Sequence, residues 1–183
     1  GIWDLKETLL KELASTDKLG MFEFNIGNSF ITIIFSGGIM PTMETAADPA
    51  RGLVYTCVSD TYRIQVWDRE GNLVRTIERD VPLVTITNEN KDDMAGRLRV
   101  SGMDEAEVRR RLREQLPEHF CRIADLRVTD GGLLIVERVV GYDKMELDVF
   151  GPDGTFLATW QSPEDVRLDE CLLARGHLYR IDD

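Results

Sequence analysis

The sequence predicts a mainly-β fold, made of repeated antiparallel sheets of four short strands with one inserted α-helix. Residues 66–74 have the pattern of a strand, a tight turn and a second strand, and residues 149–157 repeat it. Glycine takes the same place in both turns, as Gly71 and Gly154, where a short hairpin turn needs a residue with positive φ. The clearest helical periodicity lies at residues 104–116.

The composition fits one globular domain, and we expect residues 1–183 to form a single unit with a helical insertion. Hydrophobic residues make up 43% of the 183 residues, which is enough for a core and too many for a disordered chain. The 33 acidic residues exceed the 22 basic ones and give a net charge of −11, so a nucleic-acid partner is disfavoured. No apolar run approaches the roughly 20 residues of a membrane-spanning helix, so we expect no transmembrane segment.

A second pattern precedes each hairpin and completes the repeated unit. A glycine followed by four strand-forming residues occurs at 52–56 and again at 132–136, and Gly176 begins a third copy. Each unit therefore predicts four short strands in roughly 40 residues or more, which is typical of one propeller blade. Aromatic residues recur at one position beside the turns, so we expect them to pack in the core rather than to form an interaction surface. These residues are Trp3, Trp67 and Phe150.

The N-terminal residues leave two interpretations open. The Trp-Asp pair at residues 3–4 matches the pair at residues 67–68, which favours a strand of another repeated unit. Residues 4–14 also have an amphipathic helical pattern, with three leucines on one stripe. The shared register favours the strand, although the turn glycine has no counterpart there.

The inserted helix has start and stop signals. Asp104 is the expected N-cap, and Glu107 stands three residues later, as a capping box requires. Pro117 ends the helix because it cannot continue the hydrogen-bond ladder. The apolar stripe of this helix consists of Val108, Leu112 and Leu116.

Cysteine and histidine give no sign of a metal site. Cys57, Cys121 and Cys171 are an odd, sparse set without a C-x-x-C motif, which argues against a disulfide framework and a structural zinc site. We expect three small buried side chains, while one disulfide with a leftover thiol stays open. His119 and His177 are far apart in sequence and suggest no catalytic or metal-binding cluster.

Two charged segments each admit a functional and a structural interpretation. The acidic run at residues 88–93 resembles a calcium loop, but Asp93 stands where that loop needs glycine, so we expect a solvated loop. Arg109, Arg110 and Arg113 are candidates for docking onto an acidic partner or an anionic surface. The neighbouring glutamates favour instead a solvated helix face that is neutralised by local ion pairs.

The two long copies resemble the six-bladed β-propeller proteins of the NHL-like superfamily, particularly its bacterial envelope members. The resemblance rests on residues 52–55, 62–73, 126–128, 132–136 and 147–154. It implies a partial β-propeller of about three blade equivalents, because a closed six-bladed ring needs a longer chain. A longer parent chain, pairing with a second copy and closure into a smaller sandwich all stay open. Exposed apolar blade faces favour a protein partner, a second copy or a longer parent.

This pattern favours a binding function over catalysis. The sequence contains no recognisable nucleophile, acid–base pair or metal cluster, and we predict no catalytic residue, metal ligand or cofactor. We therefore expect a non-catalytic protein-binding or scaffolding module. The resemblance implies a place in the cell envelope or periplasm, as an accessory subunit of a larger complex that associates peripherally with a membrane.

The resemblance also suggests where ligands would bind. Propellers usually carry ligand contacts in the loop that contains Asp60, Tyr62 and Arg63 here, so these are candidate binding residues. The alternative function is a metal-dependent hydrolase or lactonase of the six-bladed type, in which carboxylates and amides hold a metal in the central channel. For that alternative, oxygen ligands would come from Asp60, Asp125 and Asp130.

Overall fold

The computed structural model describes residues 21–26, 29–34, 38–97, 104–162, 168, 171–174 and 177–180. Within these residues the fold is mainly β, with two four-stranded antiparallel sheets and two two-stranded hairpins. This confirms the predicted fold class. Trp3 and the ambiguous segment 4–14 lie outside the described residues.

The first four-stranded sheet follows a hairpin of β1 (Met21–Ile26) and β2 (Ser29–Ile34). Its strands are β3 (Met43–Asp48), β4 (Leu53–Val58), β5 (Arg63–Trp67) and β6 (Leu73–Glu78). They lie side by side in chain order, and each pair is antiparallel. The sheet is therefore the four-stranded meander predicted for one repeated unit.

Two helices follow the first sheet, α1 (Asn88–Arg97) and α2 (Glu105–Gln115). α2 confirms the helix predicted at residues 104–116. The Asp104 carboxylate accepts a 2.8 Å hydrogen bond from the backbone N–H of Glu107, which is the N-cap bond expected from the sequence.

α1 corrects the solvated loop expected at residues 88–93. The backbone N–H of Asn90 donates to the Thr87 hydroxyl at 3.2 Å, and the backbone N–H of Thr87 donates to the Asn90 side-chain oxygen at 3.0 Å. This reciprocal cap satisfies two amides at the start of the helix. Met94 and Ala95 are buried in one cluster with the apolar stripe of α2, so packing stabilises a helix whose own sequence is mostly polar.

The second four-stranded sheet repeats the topology of the first. Its strands are β7 (Ile123–Val128), β8 (Leu134–Gly141), β9 (Lys144–Phe150) and β10 (Phe156–Gln161). They too are adjacent in chain order. A final hairpin pairs β11 (Cys171–Ala174) with β12 (His177–Arg180), so a strand does follow Gly176, as the third copy predicts.

The turns between the third and fourth strands are equivalent in the two sheets. Gly71 has a φ of 82° and Gly154 a φ of 84°, which confirms both predicted turn glycines. In the first turn the Asp68 N–H donates to the Asn72 carbonyl at 3.0 Å, and in the second the Gly151 N–H donates to the Thr155 carbonyl at 2.8 Å. The sequence repeat is therefore also a repeat of backbone geometry.

The main core lies between the two sheets. Buried side chains from the first sheet meet those of the second in one cluster, which includes Tyr55, Ile64, Val66, Ile77, Ile123, Leu126, Leu134, Val136 and Phe150.

Equivalent strands and turns of the two sheets are neighbours. Strand β3 lies beside β7, and an Arg51 guanidinium N–H donates to the Gly131 carbonyl at 3.1 Å between equivalent turns. Trp67 and Phe150 are both buried, as expected for their repeated position. The partial β-propeller of about three blade equivalents stays a prediction.

A second core joins the two helices to the second sheet. Its buried members are Ile86, Met94, Ala95, Val108, Leu112, Leu116, Phe120 and Val139. Val139 lies on β8 and therefore anchors the helix pair to that sheet.

Neither helix of the described residues has the length and apolar character needed to cross a membrane, in agreement with the prediction.

Candidate functional site

A buried carboxylate at the boundary between the two sheets forms the most connected polar cluster of the described residues. Asp148 lies on β9, and its side chain is completely buried, with 0% exposure. Tyr62, just before β5, and Thr159, on β10, donate hydroxyl hydrogen bonds to it at 2.8 and 2.6 Å. Arg79 and Arg138 form ion pairs with it at 2.5 and 3.2 Å. The cluster therefore joins both sheets.

Strand pairing explains why these side chains converge. Asp148 is directly opposite Val136 on one neighbouring strand and Thr159 on the other, so all three side chains share one face of the second sheet. In the first sheet Tyr62 precedes β5 and Arg79 follows β6. The backbone N–H of Arg79 donates to the backbone carbonyl of Tyr62 at 3.3 Å. The ends of two paired strands thus deliver Tyr62 and Arg79 to the same place.

The hydrogen bonds keep Asp148 ionised. Burial alone would raise the pKa of Asp148, but hydrogen bonds from Thr159, Tyr62 and Arg79 outweigh it and lower the pKa below its usual value. Burial and the Asp148 charge raise the pKa of Tyr62, so the phenol stays a hydrogen-bond donor. Arg138 also pairs with Glu146, which balances the two guanidinium charges with two carboxylates. Such a cluster of paired charges holds the sheets together, and its groups are engaged with one another rather than poised for proton transfer.

An exposed apolar strand lies directly beside this cluster. Strand β10 is the outermost strand of the second sheet in the described residues. Its side chains Phe156, Leu157 and Trp160 are 42%, 55% and 53% exposed. The Arg79 guanidinium carbon lies 4.0 Å from the centre of the Phe156 ring, within the range of a cation–π contact. Arg79 of the polar cluster therefore packs against Phe156, at the start of β10.

The three candidate residues from the first loop have different environments. Asp60 lies in the turn between β4 and β5, and its carbonyl accepts a 2.6 Å hydrogen bond from the Arg122 guanidinium. Tyr62 is only 4% exposed, so it belongs to the core rather than to a surface loop. Arg63 is exposed and pairs with Glu78 at 3.0 Å on the neighbouring strand. The structure therefore does not bring these three side chains together around one ligand position.

The arginines of α2 are neutralised by acidic neighbours. Arg109 pairs with Glu105, and Arg110 pairs with Glu107 and Glu114 at 2.8 and 2.9 Å. Hydrogen bonds from Arg110 and Arg111 lower the pKa of Glu107 to about 2. These local pairs favour the interpretation as a solvated helix face.

Arg113 has a partner that the sequence did not suggest. It forms an ion pair with Asp92 of α1 at 2.5 Å. Because residues 88–93 were expected to be a loop, no pairing between two helices could be predicted there. The Thr87–Asn90 cap is the signal that would have identified α1.

The carboxylates considered for a metal do not converge. Asp60 lies in the turn after β4, whereas Asp130 lies in the turn after β7. The turn after β7 neighbours the turn before β4, so Asp60 and Asp130 are at opposite ends of the meander sheets. Asp125 pairs with Arg127 at 2.9 Å. Among the described residues, no group of three or more histidine, cysteine or carboxylate side chains could hold a metal ion.

Burial makes the thiols of Cys57 and Cys121 unreactive. Cys57 and Cys121 are buried, as the sequence predicted for them, whereas Cys171 is only partly buried, and no disulfide joins any of these three described residues. Burial raises the pKa of the Cys57 thiol to about 12 and also raises that of Cys121. The protonated form therefore dominates at neutral pH.

Comparison of the chain with protein-family models and with curated protein sequences gives no match.

Proposed function

We propose that this protein is a non-catalytic protein-binding or scaffolding module. The observation that carries the proposal is the exposed apolar strand β10, with Phe156, Leu157 and Trp160 at the surface. Exposed aromatic side chains are typical of the residues that contribute most to protein–protein binding. Phe156 and Trp160 pair with Phe150 and Leu147 and therefore lie on opposite faces of the sheet. Both faces of this outer strand thus expose an apolar side chain that a partner could cover.

The pairing of the charged groups supports binding rather than catalysis. Asp148 is held by two arginines and two hydroxyl groups. The arginines of α2 pair with glutamates of the same helix or, for Arg113, with Asp92 of α1. A general acid or base needs a group that can exchange a proton with a substrate. In the described residues, the most densely connected ionisable groups are used to join structural elements.

The arrangement of the sheets supports a role inside a larger assembly. Two four-stranded meanders pack side by side through equivalent strands and turns, as consecutive propeller blades do. Together with the resemblance of residues 52–73 and 126–154 to envelope propellers, this leads us to propose an accessory subunit of a cell-envelope complex. Fractionation of source cells, with antibody detection of the chain in the envelope fraction, tests the proposed location.

The binding function is tested by the native mass of the tagged protein isolated from its source. Light scattering of the wild type should give a mass above that of its own chain. The double variant Leu157→Lys/Trp160→Lys should return to the mass of the chain alone, because two lysines would have to be desolvated in the interface. A wild type that elutes at its own mass would contradict the proposal.

A matched control separates the surface from a general charge effect. Leu73 and Val74 are also exposed apolar residues, but they lie on β6 of the first sheet. The variant Leu73→Lys/Val74→Lys adds the same charge and should leave the complex intact. Circular dichroism melting of both variants checks that the substitutions leave the fold stable.

A further inference from the structure

Beyond a bulge at Leu157, strand β10 lacks the protection that outer strands usually have. Natural outer strands carry lysines, prolines or other charges that prevent a further strand from pairing with them. Residues 156–161 contain no charged residue and no proline. The outermost strand of the first sheet, β6, contains Arg75 and Glu78 by contrast. The unprotected backbone is thus specific to one of the two sheets.

The side chains of β10 are arranged to contact an added strand. The pairing of β10 with β9 has a register shift between Phe156 and Ala158, so Leu157 occupies the bulge. The following residues, Ala158 to Gln161, pair regularly with β9. Trp160 is more than half exposed on this regular part. An added strand would form main-chain hydrogen bonds there, with Leu157 and Trp160 as apolar contacts at either end.

The charge of the chain indicates the chemistry of the occupant. The strand itself is uncharged, and the charges beside its start balance, because Asp153 interacts with Arg75 and Arg79 pairs with Asp148. The whole chain carries a net charge of −11. A second copy of the chain would bring like charges together, whereas a basic partner is attracted.

We propose that β10 binds an extended segment of a basic partner protein, which adds as a fifth strand to the second sheet. The segment would be apolar or β-branched at its centre and carry lysine or arginine at its ends. This inference rests on the proposed binding function and specifies its site, mode and partner chemistry. Main-chain hydrogen bonds would supply the part of the affinity that does not depend on the partner's sequence, and Leu157 and Trp160 would supply the side-chain contacts.

The probe is a fluorescein-labelled peptide, Lys-Lys-Val-Thr-Val-Thr-Val-Thr-Lys-Lys, titrated with the full-length protein by fluorescence anisotropy. Saturable binding with a Kd below about 1 mM is expected. The same peptide with N-methyl groups on alternate residues cannot donate main-chain hydrogen bonds on one side and should bind at least about tenfold more weakly. A version with glutamates in place of the lysines should also lose about tenfold or more.

Protein variants link the binding to β10. Trp160→Ser should weaken the lysine peptide by about tenfold, while Val74→Ser, on β6, should leave its affinity unchanged. Absence of saturable binding of the lysine peptide would overturn the inference. Equal affinity for the N-methylated peptide would overturn strand addition, and equal affinity for the glutamate peptide would overturn the basic character of the partner.

The outcome is separable from that of the proposed function. Suppose that the native complex exists and that Leu157→Lys/Trp160→Lys dissociates it, but that the peptide does not bind. In that case only the inference of strand addition is wrong. If the isolated wild type has the mass of its own chain, the binding function is wrong whatever the peptide does. In an isolated complex, slower amide hydrogen exchange at residues 158–161 than in the free chain is the direct sign of an added strand.

Discussion

The hydroxyl of Tyr62 donates a 2.8 Å hydrogen bond to the carboxylate of Asp148 across the boundary between the two sheets. Tyr62 belongs to the first repeated unit and Asp148 to the second. Both side chains are buried, and the acceptor of the Tyr62 hydroxyl lies on the other sheet. The packing of the two units is therefore specified by a polar contact within an otherwise apolar core.

Replacement of Asp148 by asparagine should strongly destabilise the fold. Asp148→Asn leaves the guanidinium groups of Arg79 and Arg138 with one buried countercharge fewer, and breaking a buried pair typically costs about 3–5 kcal/mol. The free energy of unfolding, measured by urea denaturation, should fall by about this amount. In the control Glu78→Gln, the exposed Arg63–Glu78 pair is lost and the change should stay below about 1 kcal/mol. Similar effects of the two substitutions would contradict the importance of burial.

The contribution of Asp148 should disappear in acid. Its pKa is lowered in the folded state, so its stabilising effect is fully present above the unfolded value of about 3.9 and is lost as the pH falls through the folded value. The difference in unfolding free energy between the wild type and Asp148→Asn should therefore shrink as the pH drops below about 5. Exposed carboxylates with lowered pKa, such as Glu107, are present in both proteins and cancel in this difference. A difference that stays constant down to pH 3 would contradict the assignment.

The thiols of Cys57 and Cys121 should be protected in the folded protein. Both are buried, and the pKa of Cys57 is raised to about 12, so little thiolate is present at pH 8 and little of it is accessible. In a Cys171→Ser variant these two are the only cysteines. Ellman's reagent should label neither in buffer and both in 8 M urea. Rapid labelling of the native variant would show that this part of the core opens readily.

The sequence predicted the repeated strands better than the contacts between them. Gly71 and Gly154 mark turns whose requirement for positive φ is local, and the Asp104 cap of α2 is equally local, so all three could be identified from short patterns. The Asp148 cluster depends on residues from strands far apart in sequence, and no short pattern connects them. Tyr62 was expected in a ligand-binding loop by analogy with propeller proteins. The register that buries it is set by pairing of β5 with β6 and by packing of the two sheets.

Helix α1 was missed because its polar sequence hides a tertiary contact. Residues 88–93 contain several acidic side chains and few apolar ones, and such a segment on its own favours a solvated loop. Lys91, however, is buried, and its ammonium group donates hydrogen bonds to the Arg113 and Leu116 carbonyls at 3.3 and 3.1 Å. These carbonyls lie at the end of α2, where no residue of that helix can pair with them. A lysine from one helix thus completes the hydrogen bonding of the other.

Removal of the Lys91 ammonium group should therefore destabilise the helix pair. Lys91→Met keeps most of the apolar length of the side chain and removes the donors, so packing is largely preserved. We expect a loss of about 1–3 kcal/mol, because the bonds involve a charged donor and the α2 carbonyls would stay buried. Lys144→Met, at an exposed position in β9, is the matched control and should change the unfolding free energy by less than about 0.5 kcal/mol. Urea denaturation of both variants measures the difference. If the two variants were equally stable, the ammonium group of Lys91 would contribute nothing to the end of α2, and apolar packing alone would hold α1 in place.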